Sequence, residues 1–112
     1  MNSQARTTRR NGGLPHEELA VLRAKLLEQR VFRREQLAGF GKSGAVLDEV
    51  HGQLVGAARL VLADVEAALD RMETGHYGQC RGCRGPIELP RLRICPQTLY
   101  CGECHRLRET GK

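Results

Sequence analysis

From His16 onward, apolar side chains recur at helical spacing. Leu19, Leu22, Leu26, Leu37 and Phe40 share one face, which Gln29 and Arg33 interrupt, while Leu27 and Val31 lie to one side. Pro15 suits a helix start, and Glu17 and Glu18 put negative charge where the helix dipole favours it. The pattern runs to about Ala38. Gly39-Phe-Gly41-Lys-Ser-Gly44 then places three glycines in six residues and reads as a turn at about 39–44. A second helix is predicted from about Ala45 to Glu73. In it Leu47, Leu54, Val61 and Ala68 repeat every seven residues, as do His51, Ala58, Val65 and Met72 offset by four. The two series interleave as an a/d seam, and Gly75 stops the helix.

Two long helices joined by so short a turn pack antiparallel, with one narrow seam and little core. The chain divides accordingly into a flexible basic tail (1–15), a coiled-coil hairpin (16–75) and a C-terminal module (76–112). Aromatic residues make up 4% of the 112 residues and there is no Trp. A large core is therefore not expected, and a chain this small needs a staple such as a metal.

Charge adds a partner class. The net charge is +5, and it is unevenly placed. Residues 1–15 carry Arg6, Arg9 and Arg10 without an acid. The hairpin carries eight basic and ten acidic side chains, and residues 76–112 seven and three. A basic end invites an acidic or phosphate-bearing partner, although it also keeps a small protein soluble. No stretch approaches the ~18 apolar residues of a membrane span, and the polar start is unlike a secretory signal. A cytoplasmic protein is expected. Its thiols are then reduced and read as metal ligands before disulfides.

Cys80-Arg-Gly-Cys83 and Cys101-Gly-Glu-Cys104 are two Cys-x2-Cys knuckles with seventeen residues between them. Each tight turn brings two sulfurs to one metal, and two such turns close a tetrahedron. One structural zinc ion on Cys80, Cys83, Cys101 and Cys104 is predicted. Four protein ligands leave no open position for catalysis. The rival readings are a disulfide module, a redox dithiol and an iron–sulfur cluster. They want an oxidising compartment, a βαβ frame, or other spacings. Cys95, before Pro96, is left as an ordinary partly buried thiol, and His105 is not needed as a ligand. No nucleophile–base set, phosphate-binding glycine loop or carboxylate pair stands out, so no enzyme is expected. One binding function open to this module is nucleic-acid contact, mainly to phosphates, through Arg81, Arg84, Arg91, Arg93, Arg106 and Arg108.

Around the knuckles stand Gly75-His-Tyr77-Gly78-Gln-Cys80-Arg-Gly-Cys83-Arg-Gly-Pro86-Ile87, then Pro90-Arg-Leu92, Pro96 and Leu99-Tyr-Cys101-Gly-Glu-Cys104. This third of the chain resembles the DksA/TraR family of bacterial transcription regulators. The resemblance implies a mainly α fold: a two-helix coiled-coil hairpin with a small four-cysteine zinc finger and a short C-terminal helix. It also implies a monomer that binds RNA polymerase through its secondary channel and modulates initiation, in some members with ppGpp. DNA contact would then be secondary. Family members carry Asp-x-x-Asp-x-Ala at the hairpin tip. The nearest stretch here is Asp48-Glu49-Val-His51-Gly-Gln53, which makes Asp48 and Glu49 the candidate partner-facing acids.

Overall fold

A computed structural model describes residues 10–42 and 49–110. The order of elements is a short 3-10 turn (Arg10–Gly13), then α1 (His16–Lys42), α2 (Glu49–Thr74), α3 (Leu89–Ile94) and α4 (Gly102–Thr110). The long pair α1 and α2 pack against each other as a hairpin. Strand pairing among the described residues is confined to one antiparallel bridge, Gln79 to Pro86.

Helix α1 runs further than the glycines led the sequence to suggest. It passes through Gly39 and Gly41 to Lys42. An isolated glycine costs a helix interior only about 1 kcal/mol relative to alanine, and a ring contact spans this end of the hairpin. Phe40 meets His51 edge to face with ring centroids 5.2 Å apart. The expected turn at 39–44 is thus corrected for residues 39–42, and the rest of it lies outside the described residues, as do Ala45, Leu47 and Asp48.

The core sits at the open end of the hairpin. Leu22 and Leu26 of α1 and Val65, Ala68, Leu69 and Met72 of α2 form one buried cluster. Tyr77, Cys80, Ile87, Leu92 and Cys101 of the C-terminal module complete it. The predicted seam holds at Ala58, Val65, Ala68 and Met72, which are buried. It fails at Leu54, which is 54% exposed.

Helix α2 stops at a Schellman motif. His76 donates to the Arg71 carbonyl at 2.8 Å and Gly75 to Met72 at 3.4 Å. Gly75 has φ +85°, a conformation that strains any residue with a Cβ.

The segment 10–15, expected within a flexible tail, is instead docked on this helix end. Asn11 is 5% exposed. Its N–H donates to the Gly75 carbonyl at 2.7 Å, and its side-chain oxygen accepts from the Tyr77 N–H at 3.0 Å. Its side-chain nitrogen reaches the Met72 carbonyl at 3.5 Å, while Arg10 donates to the Glu73 carbonyl at 3.2 Å. Helix termini leave carbonyls without intrahelical partners, and residues 10 and 11 supply donors for them. Asn11 does so with φ +53°, a left-handed conformation that Asn tolerates better than most residues.

Candidate metal centre

The two knuckles arrive from different elements. The first follows the Schellman turn. Ile87 donates back to the Gly78 carbonyl at 2.8 Å and Cys80 to Gly85 at 2.7 Å, closing a small loop around Cys80–Cys83. The second lies where α4 begins, with Cys104 inside the first turn of that helix. A helix N-terminus favours thiolate over thiol. Glu88 fixes this entry by accepting the Gly102 N–H at 3.3 Å. That bond, with the one Glu88 makes to its own backbone, lowers its carboxyl pKa.

The loops meet so that the Sγ atoms of Cys80, Cys83, Cys101 and Cys104 all lie within 4.8 Å of one another. Cys83 and Cys101 are 4.0 Å apart, and none of the five cysteines is in a disulfide. Zinc–sulfur bonds of about 2.3 Å in a tetrahedron put sulfurs about 3.8 Å apart, so a modest contraction closes the cluster on the ion. The sulfurs are also held by backbone N–H donors. Cys80 accepts from Gly82 at 3.3 Å, Cys83 at 3.5 Å and Cys101 at 3.3 Å. Cys83 accepts from Gly85 at 3.4 Å and Cys101 from Cys104 at 3.4 Å. These donors spread the charge of a thiolate and orient its lone pairs. Burial pushes the Cys80 thiol up, but the N–H bonds from Cys101, Cys83 and Gly82 outweigh it and hold it at about 6. Its hydrogen bond to Cys80 pushes Cys104 the other way, to about 12. A side chain at Gly82 would be tight, since a Cβ there would stand 3.1 Å from the Cys104 sulfur and press on it.

Four soft donors, closed geometry and aimed amides fit one zinc ion in a structural role, as the spacing predicts. Cys95 is half-buried and outside the cluster. Burial raises its thiol pKa. His105 lies on the outer side of α4, 3.1 Å from Glu109.

The supports of the site were harder to read. Helix α3 went unpredicted, although Pro90 sits in its first turn where proline is tolerated. Its Leu92 is fully buried, and its Arg91 donates to the Tyr100 carbonyl at 3.0 Å, beside Cys101. Arg93 ties the module to α1 through two bonds to Glu18, at 3.1 and 3.2 Å. The Tyr77 hydroxyl donates to the Pro96 carbonyl at 2.8 Å, spanning the base. Of the candidate tip acids, Glu49 opens α2 and Asp48 lies outside the described residues.

The backbone arrangement of hairpin and C-terminal module resembles that of two solved proteins. Transcription factor DksA2 from Pseudomonas aeruginosa superposes with a TM-score of 0.70, at 22% identity over 84% of each chain. The RNA polymerase binding protein and transcriptional regulator Dks from Chlamydia trachomatis superposes at 0.60, with 23% identity over 88% of this chain and 94% of that one. The chain has the DksA fold. By sequence it is also 27% identical to an uncharacterized protein of Aquifex aeolicus, across 79% of this chain and 69% of that protein. No family model matches. The DksA fold accounts for the helical hairpin and the short C-terminal helix. No helix among the described residues is long and apolar enough to cross a membrane.

Proposed function

We propose that this chain is a zinc-stapled transcription regulator that binds RNA polymerase. The observation that carries the reading is the joint placement of hairpin and base: a narrow two-helix rod projecting from a four-thiol module, on a backbone that superposes on DksA2 and Dks. The long axis of the molecule measures 58 Å, which lets the hairpin reach deep into a channel while the base stays outside. On this reading the hairpin enters the polymerase secondary channel and modulates initiation. The base and helix flanks supply the contact area, because a polar, glycine-rich tip buries little apolar surface. Asp48 and Glu49 then act electrostatically near the metal-containing active centre, where a low dielectric magnifies each charge.

The test is a pull-down of purified core RNA polymerase with the zinc-loaded chain, followed by promoter-complex lifetimes on the same preparation. Retention of the polymerase and altered lifetimes are expected. Asp48→Asn with Glu49→Gln should keep the affinity and lose the regulation. A chain that does not retain polymerase contradicts the reading.

A further inference from the structure

The arginines of the C-terminal module fall into two groups. Arg93 is held by Glu18, Arg91 by the Tyr100 carbonyl, and Arg106 lies 3.6 Å from Glu103. Arg108 stacks over the Tyr100 ring with its guanidinium carbon 4.3 Å from the centroid. These four are committed to groups of the chain itself. Arg81 and Arg84 are exposed, and among the described residues neither side chain makes a hydrogen bond or an ion pair. Asp64 attracts Arg81 through space without forming an ion pair with it.

Arg81 and Arg84 line one concavity of about 670 Å³, whose other walls are Arg71, His76, Gln79 and Cys80. Arg71 is fixed within it. Its Nη2 donates to the His76 carbonyl at 3.0 Å and also to the Gln79 carbonyl. Both bonds use the same nitrogen. A guanidinium has five N–H donors, so the Nε and Nη1 hydrogens are left over. One rigid guanidinium thus stands beside two exposed ones in a concave polar surface. Arg81 and Arg84 remain for an anion from outside.

We propose that this concavity binds a phosphate group, supplied by a nucleotide or by a polynucleotide backbone. Guanidinium forks match two phosphate oxygens at a time, which a lysine cannot do. Arg71 provides the preorganised donor and Arg81 and Arg84 close over the anion. The site does not depend on polymerase binding, so the two readings stand or fall separately.

The experiment uses the full zinc-loaded chain and fluorescence anisotropy with a short labelled oligothymidylate, with pyrophosphate as competitor. The variants are Arg81→Gln with Arg84→Asn, the latter chosen because Arg84 has φ +67° and Asn tolerates that backbone. This pair should weaken binding about tenfold or more and lower the salt slope by about 1 to 2. Arg93→Gln and Arg106→Gln, whose charges are already partnered, should stay within about twofold of the parent chain. Displacement by pyrophosphate assigns the site to a phosphate group as such; resistance to it assigns the site to the polynucleotide backbone. Equal losses in all variants would reduce the site to diffuse positive charge and overturn the proposal, as would no binding by the parent chain at low salt. Zinc is measured on every variant. Should the double variant lose its metal, Arg84→Asn alone is read, and unchanged binding there overturns the proposal.

Discussion

The two ends of this molecule are built on different principles. At the base, Leu22, Leu26, Val65, Leu92 and Tyr77 are almost or wholly buried, and the thiol cluster stands against them. Toward the tip, Val31, Phe32, Leu54 and Leu60 are between 54% and 70% exposed. Contacts of the outer hairpin include the Phe40–His51 ring pair and an Arg34–Glu66 ion pair at 2.6 Å on the surface. Such exposed ion pairs contribute about 0–1 kcal/mol. A continuous seven-residue repeat therefore does not mean continuous burial. The same seam is a core where a third layer covers it, and beyond that layer it buries the small Ala58 but not Leu54.

The largest effect should come from the metal. Cys83→Ser, or a strong chelator, should abolish zinc binding and unfold the base. Structural zinc contributes about 10–16 kcal/mol in small modules at neutral pH. Cys95→Ser should leave the zinc content unchanged, because its sulfur is outside the cluster. Elemental analysis with far-UV circular dichroism checks both.

A smaller effect separates the two ends directly. Leu26→Ala at the base should cost about 2–5 kcal/mol in urea unfolding. Leu54→Ala, on the same nominal seam, should cost under about 1 kcal/mol because its side chain is already half in water. Equal costs would mean that the outer hairpin is as well packed as the base.

Next comes the docked N-terminal turn. Asn11→Ala leaves the Tyr77 N–H without its buried acceptor and should cost about 1–3 kcal/mol. Thermal melts of this variant, beside one deleting residues 1–9, check whether the anchor is Asn11 or the basic stretch before it.

The smallest effect is electrostatic. The hydrogen bond from Arg93 lowers the Glu18 pKa below its ordinary 4.5. A depressed carboxyl stabilises the fold fully above its unfolded pKa and loses that contribution as pH falls through the folded value. Glu18→Gln should therefore flatten the pH dependence of stability below about pH 4.5 and leave a small loss at neutral pH. Melts from acid to neutral pH check the sign.

Much of this was legible in the sequence, and for identifiable reasons. Two Cys-x2-Cys turns at this separation favour one tetrahedral metal over the rival uses of four thiols, so Cys80, Cys83, Cys101 and Cys104 could be placed together from their spacing. Helical spacing showed the hairpin because periodicity is local. What stayed hidden was decided by distant parts of the chain. Asn11 fell within the stretch read as a flexible tail, and nothing local says that it serves the end of a helix more than sixty residues later. Leu54 fits the repeat as well as Val65 does, yet only Val65 is covered by the module. Helix α3 is six residues long and opens next to a proline, too short for any period to show. The sixfold arginine set looked uniform until the fold gave Arg93 to Glu18 and left Arg81 and Arg84 apart.

The central claim is that the zinc base, rather than the hairpin, holds this molecule together. Native-state hydrogen exchange before and after zinc removal tests it most directly. With zinc, the amides of Tyr77, Cys80 and Cys101 and those around Leu26 and Val65 should be the most protected, and those of α2 between Gly52 and Leu60 the least. After removal, protection at the base should collapse to the level of the outer hairpin. Base amides that keep their protection without the metal would contradict the account.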